Sequence, residues 1–141
     1  MAERQEDIYL GVDYGERNTG LAFGRVGLVS PFKVLDSKNQ DSLVSEMARV
    51  VATEKISKVV MGLPTDVEGR DTAQSLKIRQ FAKVLRIKLK RPVEFVSEYG
   101  TSEEALSSQI RAGVSRKGRR TNDHYSAALI LKRFFREMEE N

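Results

Sequence analysis

The stretch Ile8-Tyr9-Leu10-Gly11-Val12-Asp13-Tyr14-Gly15-Glu16-Arg17-Asn18-Thr19-Gly20-Leu21-Ala22-Phe23-Gly24-Arg25 sets out the architecture early. Ile8 to Asp13 is a short apolar run that reads as a buried strand ending on a carboxylate. A glycine-bracketed loop, Tyr14 to Gly20, turns the chain back, and Gly20 to Arg25 reads as a second strand. Asp is a poor strand residue, and a half-buried charge has to be paired or bound to a metal. Asp13 is therefore a residue with a task.

Working outward, Leu28 to Leu35 reads as a third strand, joined to the second by a tight turn at Val26-Gly27. Three strands linked by short turns imply an antiparallel meander. The pattern then alternates. Asp41 or Ser42 can cap a helix carrying Leu43, Met47 and Val50 at helical spacing. Lys58-Val59-Val60-Met61-Gly62-Leu63 is a buried strand closed by Pro64, and a polar loop follows. About Thr72 to Lys90 is a strongly amphipathic helix, with Ile78, Phe81, Ala82, Leu85 and Leu89 on one stripe. Arg79, Lys83, Arg86 and Lys90 form a basic row beside that stripe. Val93 to Val96 is the fifth strand.

Thr101-Ser102-Glu103-Glu104 carries a capping-box signature and opens a helix to about Ala112. Thr121 or Asn122 caps a last helix, whose apolar face is Ala127, Ile130, Leu131, Phe134 and Phe135. The order β-β-β-α-β-α-β-α-α gives an α/β fold: a mixed five-stranded sheet with helices packed on it. That is the order of the ribonuclease H-like fold. Residues 1–141 are expected to form one such domain, with 1–7 as a disordered start.

Composition narrows the chemistry. The chain has 141 residues, 40% hydrophobic, enough for one real core. It has no cysteine and one histidine, which excludes disulfides and thiolate metal sites and argues against a histidine-rich zinc centre. A metal would sit on oxygen ligands, which suits Mg2+ or Mn2+. No apolar stretch nears the roughly 18 to 20 residues of a membrane span, and the charged N-terminus has no signal-peptide core. A cytoplasmic protein is the expectation.

The net charge of +4 is unevenly spread: Lys77 to Arg91 and Arg111 to Arg120 are rich in Lys and Arg and contain no acid. Such blocks suit a polyanionic partner, although they also serve simply to solvate helix faces.

On this element order Asp13 ends the first strand, Glu98 follows the fifth, and Asp123 lies in the first turn of the last helix. If the first and fifth strands are parallel, Asp13 and Glu98 share one edge of the sheet and the start of the last helix can face them. Clustered carboxylates repel and call for cations. Two Mg2+ or Mn2+ ions bridged by Asp13, with Glu98 and Asp123 as further ligands, could clamp a scissile phosphate and activate a water. Each acid has an ordinary alternative, Asp123 as a first-turn acid and Glu98 as a surface residue. His124 could carry a proton, but a solvated helix-start histidine is the simpler expectation. Arg116, Lys117, Arg119 and Arg120 make a basic loop just before Asp123, a natural clamp on a nucleic-acid backbone, and Arg17 could add a phosphate contact.

Four motifs carry a family likeness. They are Gly11-Val12-Asp13-Tyr14-Gly15 with Gly20-Leu21-Ala22; Val60-Met61-Gly62-Leu63-Pro64; Glu98 with Thr101-Ser102-x-x-Ala105; and Asn122-Asp123-x-x-Ser126-Ala127-Ala128-x-x-Leu131. In this order and length they resemble the YqgF/RuvX family of ribonuclease H-like nucleases over about Ile8 to Phe135. The resemblance implies a cytoplasmic nuclease linked to maturation of the 16S ribosomal RNA precursor, with Holliday-junction resolution as the older family assignment. It implies that Asp13, Glu98 and Asp123 are the metal-binding catalytic set. One segment departs: where the family usually reads Asp-Glu-Arg and a hydrophobic residue, this chain has Ser97-Glu98-Tyr99-Gly100.

Other readings use the same residues. Asp13-x-Gly15-x-x-x-x-Gly20 also resembles the first phosphate loop of actin and sugar-kinase ATPases, which close two such domains over a nucleotide. A non-catalytic RNA- or ribosome-binding module would keep the basic surface alone. The sequence does not choose between RNA and a branched DNA substrate, or between monomer and homodimer. It displays no exposed apolar stripe that announces a dimer.

Overall fold

The computed structural model describes residues 6–66, 68–97 and 123–140. Five strands form one sheet: β1 (Ile8–Asp13), β2 (Asn18–Arg25), β3 (Leu28–Asp36), β4 (Lys58–Leu63) and β5 (Val93–Ser97), in the spatial order β3-β2-β1-β4-β5. β1, β2 and β3 are antiparallel neighbours, whereas β1, β4 and β5 run parallel. Asp13 and Ser97, the residue before Glu98, therefore end their strands at the same edge of the sheet.

Three helices are described: α1 (Gln40–Thr53), α2 (Ala73–Leu89) and α3 (Asp123–Glu140). The expected helix after Thr101 lies outside the described residues. Alternation along the strands separates two cores. Leu10 and Val12 of β1 and Val59 and Met61 of β4 face α1 and α2, and Leu43, Met47, Ile78 and Leu85 close over them. Tyr9, Ala22, Val60 and Val96 face the other way and are covered by α3 through Ala127, Ile130, Leu131 and Phe134.

Several local features add to or differ from expectation. Asn39, rather than Asp41 or Ser42, caps α1, its side-chain oxygen accepting from the Ser42 amide at 2.9 Å. Several good capping residues stand together here, and the amide two positions earlier wins. At the β2–β3 turn Val26 and Gly27 both have positive φ, 52° and 78°, as a two-residue type I′ hairpin demands. A β-branched residue in that region is strained. This turn also exposes Val26 and Leu28, and Val26 lines a shallow hollow with Met138 of α3, an apolar surface that the sequence does not announce. Glu6, inside the stretch expected to be disordered, pairs with Arg25 at 2.8 Å.

The seat of α3 is built from absent side chains. Gly20, Ala22 and Gly24 alternate along one face of β2, with Gly11 of β1 directly opposite Ala22. A Cβ on Gly11 would lie 2.6 Å from Leu131 Cγ and 2.8 Å from the Ala127 carbonyl oxygen. One on Gly24 would meet the Phe135 ring at 2.7 Å. The helix lies in a lane that only small residues leave open.

Candidate nucleic-acid cleavage site

The lane fixes the start of α3. A Cβ on Gly20 would fall 2.1 Å from the Asp123 carbonyl oxygen and 2.6 Å from the His124 amide nitrogen, so helix and strand touch backbone to backbone. Gly20 is the cross-strand partner of Asp13. Asp13 follows Tyr9 and Gly11 at a spacing of two, so its side chain belongs to the face that α3 covers. The structure thus brings two of the three expected acids, Asp13 and Asp123, to one face at one edge. Glu98 and the loop residues Arg116, Lys117, Arg119 and Arg120 lie outside the described residues.

Asp13 is half-buried. Burial pushes the Asp123 carboxyl above the ordinary carboxylate range, and His124 beside it acts in the opposite direction. His124 is not the solvated residue expected. Its ring is half-buried against Tyr125, and its Nδ1 is buried without a hydrogen-bond partner among the described residues. Packing of the first turn onto β2 draws the ring in with the backbone.

Arg17 occupies the loop between Asp13 and β2, exposed to solvent, as a phosphate contact requires. That loop is firmly held. Tyr14 stacks on Phe81 of α2 with ring centroids 4.1 Å apart and planes 16° from parallel. The Arg17 carbonyl accepts from the Ser37 amide at 2.8 Å, and the Thr19 and Ser37 hydroxyls share a buried hydrogen bond of 2.6 Å. Lys77 of α2 reaches Glu16 at 2.6 Å. Between the loop and the start of α2 lies a cleft of about 590 Å³.

Two residues that sequence reasoning passed over join the edge together. Arg133 of α3 donates from Nη1 to the Ser97 carbonyl at 2.7 Å, tying the helix to the point where the chain leaves β5 for Glu98. The Thr65 and Ser97 hydroxyls lie 3.0 Å apart and link the end of β4 to that of β5. Neither has a local sequence signature, because each bond spans more than thirty residues.

A divalent metal suits this chemistry. The donors are oxygen, which favours Mg2+ or Mn2+, and the partly desolvated Asp123 carboxylate would gain from a cation beside it. Among the described residues no group of three or more His, Cys, Asp or Glu is arranged to hold a metal. Of the three expected acids, Asp13 and Asp123 are described and Glu98 is not.

A model of the RuvX family, described as Holliday junction resolvase, matches residues 7–137. The chain belongs to the RuvX family. A relative from Oleidesulfovibrio alaskensis is 33% identical over 135 residues, covering 94% of each chain, and one from Maridesulfovibrio salexigens is 30% identical over 126 residues, covering 87% of this chain and 93% of that one. Both carry the name "Putative pre-16S rRNA nuclease".

Among solved structures, T. thermophilus RuvC in complex with a Holliday junction substrate superposes with a TM-score of 0.61 at 14% identity, over 94% of this chain and 96% of that one. The fowlpox virus Holliday junction resolvase gives 0.52 at 14% identity, over 95% and 99%. At such identity the likeness establishes the shared fold, the mixed five-stranded α/β architecture expected of a ribonuclease H-like chain. Among the described residues no helix is long and apolar enough to cross a membrane.

Proposed function

We propose that this RuvX protein is a metal-dependent nuclease that hydrolyses phosphodiester bonds in maturation of the 5′ end of pre-16S rRNA. The observation that carries the reading is the contact of the Asp123 backbone with Gly20, directly across the ladder from Asp13. The names borne by its relatives support the substrate.

In this reading Asp13, Glu98 and Asp123 would hold Mg2+ or Mn2+. The bound metal supplies an activated water and charge compensation at the scissile phosphate. The protein's own residues position the reaction. Asp13 is fixed by a strand paired on both sides, and Asp123 by its helix start against β2. Arg17 binds the substrate backbone, and so do Arg116, Lys117, Arg119 and Arg120, which precede Asp123 in the sequence. These contacts orient without reading sequence. Tyr14 and Phe81 keep the Arg17 loop from drifting, and Arg133 holds the chain at Ser97. Rigid placement of this kind matters because a misplacement of about 1 Å can cost roughly a hundredfold in rate.

The test is a cleavage assay of purified protein on a 5′-extended 16S rRNA precursor and on a four-way DNA junction. The proposal expects cleavage of the RNA only with Mg2+ or Mn2+, an intact junction, and no cleavage by Asp13→Asn. RNA binding without any metal-dependent cleavage would instead identify a binding module, and cutting of the junction alone a resolvase.

A further inference from the structure

The flank formed by α2 and β5 carries charge that the cleavage site does not use. Lys77 to Arg91 contains no acid. Both arginines of α2 in this run are held by polar partners. Arg79 is gripped by Asp71 through two bonds, of 3.0 and 3.1 Å, and its guanidinium lies 5.2 Å from the Phe95 ring centroid. Arg86 lies 5.5 Å from the same ring and donates to the Val93 carbonyl at 2.9 Å. Phe95 is thus stacked by two cations on the outer strand of the sheet. Lys83 continues this row on α2 and Lys90 is the helix's C-cap; both are exposed and without an acidic partner among the described residues.

From Arg79 to Lys90 the row spans about 16 Å at the helical rise. α2 starts at the edge of the sheet that holds Asp13 and Ser97, so the row leads away from that edge along β5. A solvating face needs no such order, whereas this one fixes two guanidiniums and leaves two mobile ammoniums between and beyond them. Among the described residues Asp71 is the single acid in the cluster, and the excess is cationic. Arginines already held in place lose little conformational freedom when an anion arrives.

We propose that Arg79, Lys83, Arg86 and Lys90 form a track for the sugar–phosphate backbone of the RNA duplex flanking the cleaved bond. The inference rests on the nuclease reading for its choice of RNA. The track adds sequence-independent affinity and aligns the substrate arm, contacting several successive phosphates of one strand.

The experiment measures affinity against salt for a labelled RNA hairpin with a single-stranded extension. It uses the full chain with Asp13→Asn, so that binding is read without cleavage. Adding Lys83→Gln and Lys90→Gln should reduce the log–log salt slope by about 1.5 and weaken binding roughly tenfold at moderate salt. A control with the same change in net charge, Lys38→Gln with Lys132→Gln, should weaken it less than about twofold; Lys83→Arg with Lys90→Arg should retain the parent slope. Equal losses in the two glutamine pairs overturn the track, as does an effect confined to a four-way DNA junction. If the Lys83 and Lys90 dependence holds while wild-type protein never cleaves RNA, the track stands and the nuclease reading falls.

Discussion

Gly20 and Asp123 are in backbone contact: a single added carbon on Gly20 would stand 2.1 Å from the Asp123 carbonyl oxygen. Because Gly20 pairs with Asp13, this contact sets how the two acids stand to each other. Gly20→Ala must displace the first turn of α3. Overpacking of this sort costs about 1–3 kcal/mol. The expected outcome is a lower melting temperature, with RNA cleavage reduced by more than the stability loss explains when measured well below melting.

Asp123 gives a pH signature. Its folded carboxyl titrates above the ordinary value of 3.8 because burial disfavours the charge. Between the unfolded and folded pKa values the native state holds the extra proton, so the stability contributed by this group falls as pH rises through that window. Metal-free wild type should therefore lose stability relative to Asp123→Asn as pH climbs from about 4, and Mg2+ should restore it in the wild type alone. Denaturant melts across pH, with and without Mg2+, measure this; parallel curves for the two proteins contradict it.

Removing the Arg133 side chain tests positioning at the Ser97 end of β5. Arg133→Met retains the aliphatic stem and loses the 2.7 Å bond to the Ser97 carbonyl. A charged hydrogen bond at a partly exposed position contributes about 1 kcal/mol. Cleavage should fall roughly tenfold in the rate at saturating RNA, with little change in RNA affinity. A pure loss of affinity would reassign Arg133 to substrate binding.

The hairpin turn offers a gain. Val26 sits at φ 52° before Gly27, 68% exposed, in a turn type that favours Asn-Gly. Val26→Asn should stabilise the fold by about 1 kcal/mol, visible as a higher melting temperature with cleavage unchanged.

The sequence displays much of this fold because its signals are local. Lys58 to Leu63 is a continuous apolar run stopped by a proline, and the structure has a strand on those residues. Thr72 and Lys90 are the caps of α2, at the limits that the amphipathic stripe implies. The seat of α3 is not visible in this way. Gly20, Ala22 and Gly24 look like strand residues of weak propensity until a helix lies across them, and the contact joins segments a hundred residues apart. Arg133 is silent for a similar reason, since its partner is a main-chain carbonyl. His124 is half-buried where the sequence suggests a solvated ring, because burial of a first-turn residue depends on what the turn packs against. For the site, Asp13 was legible as a charge at a strand end; its relation to Asp123 needed the structure.

Mn2+ binding followed by electron paramagnetic resonance tests the central claim most directly, because it asks whether Asp13 and Asp123 serve one metal site. Wild-type protein should bind Mn2+, displaceable by Mg2+, while folded Asp13→Asn and Asp123→Asn should each lose more than about tenfold in affinity. Unchanged Mn2+ binding in both variants, or none in the wild type, would contradict the account.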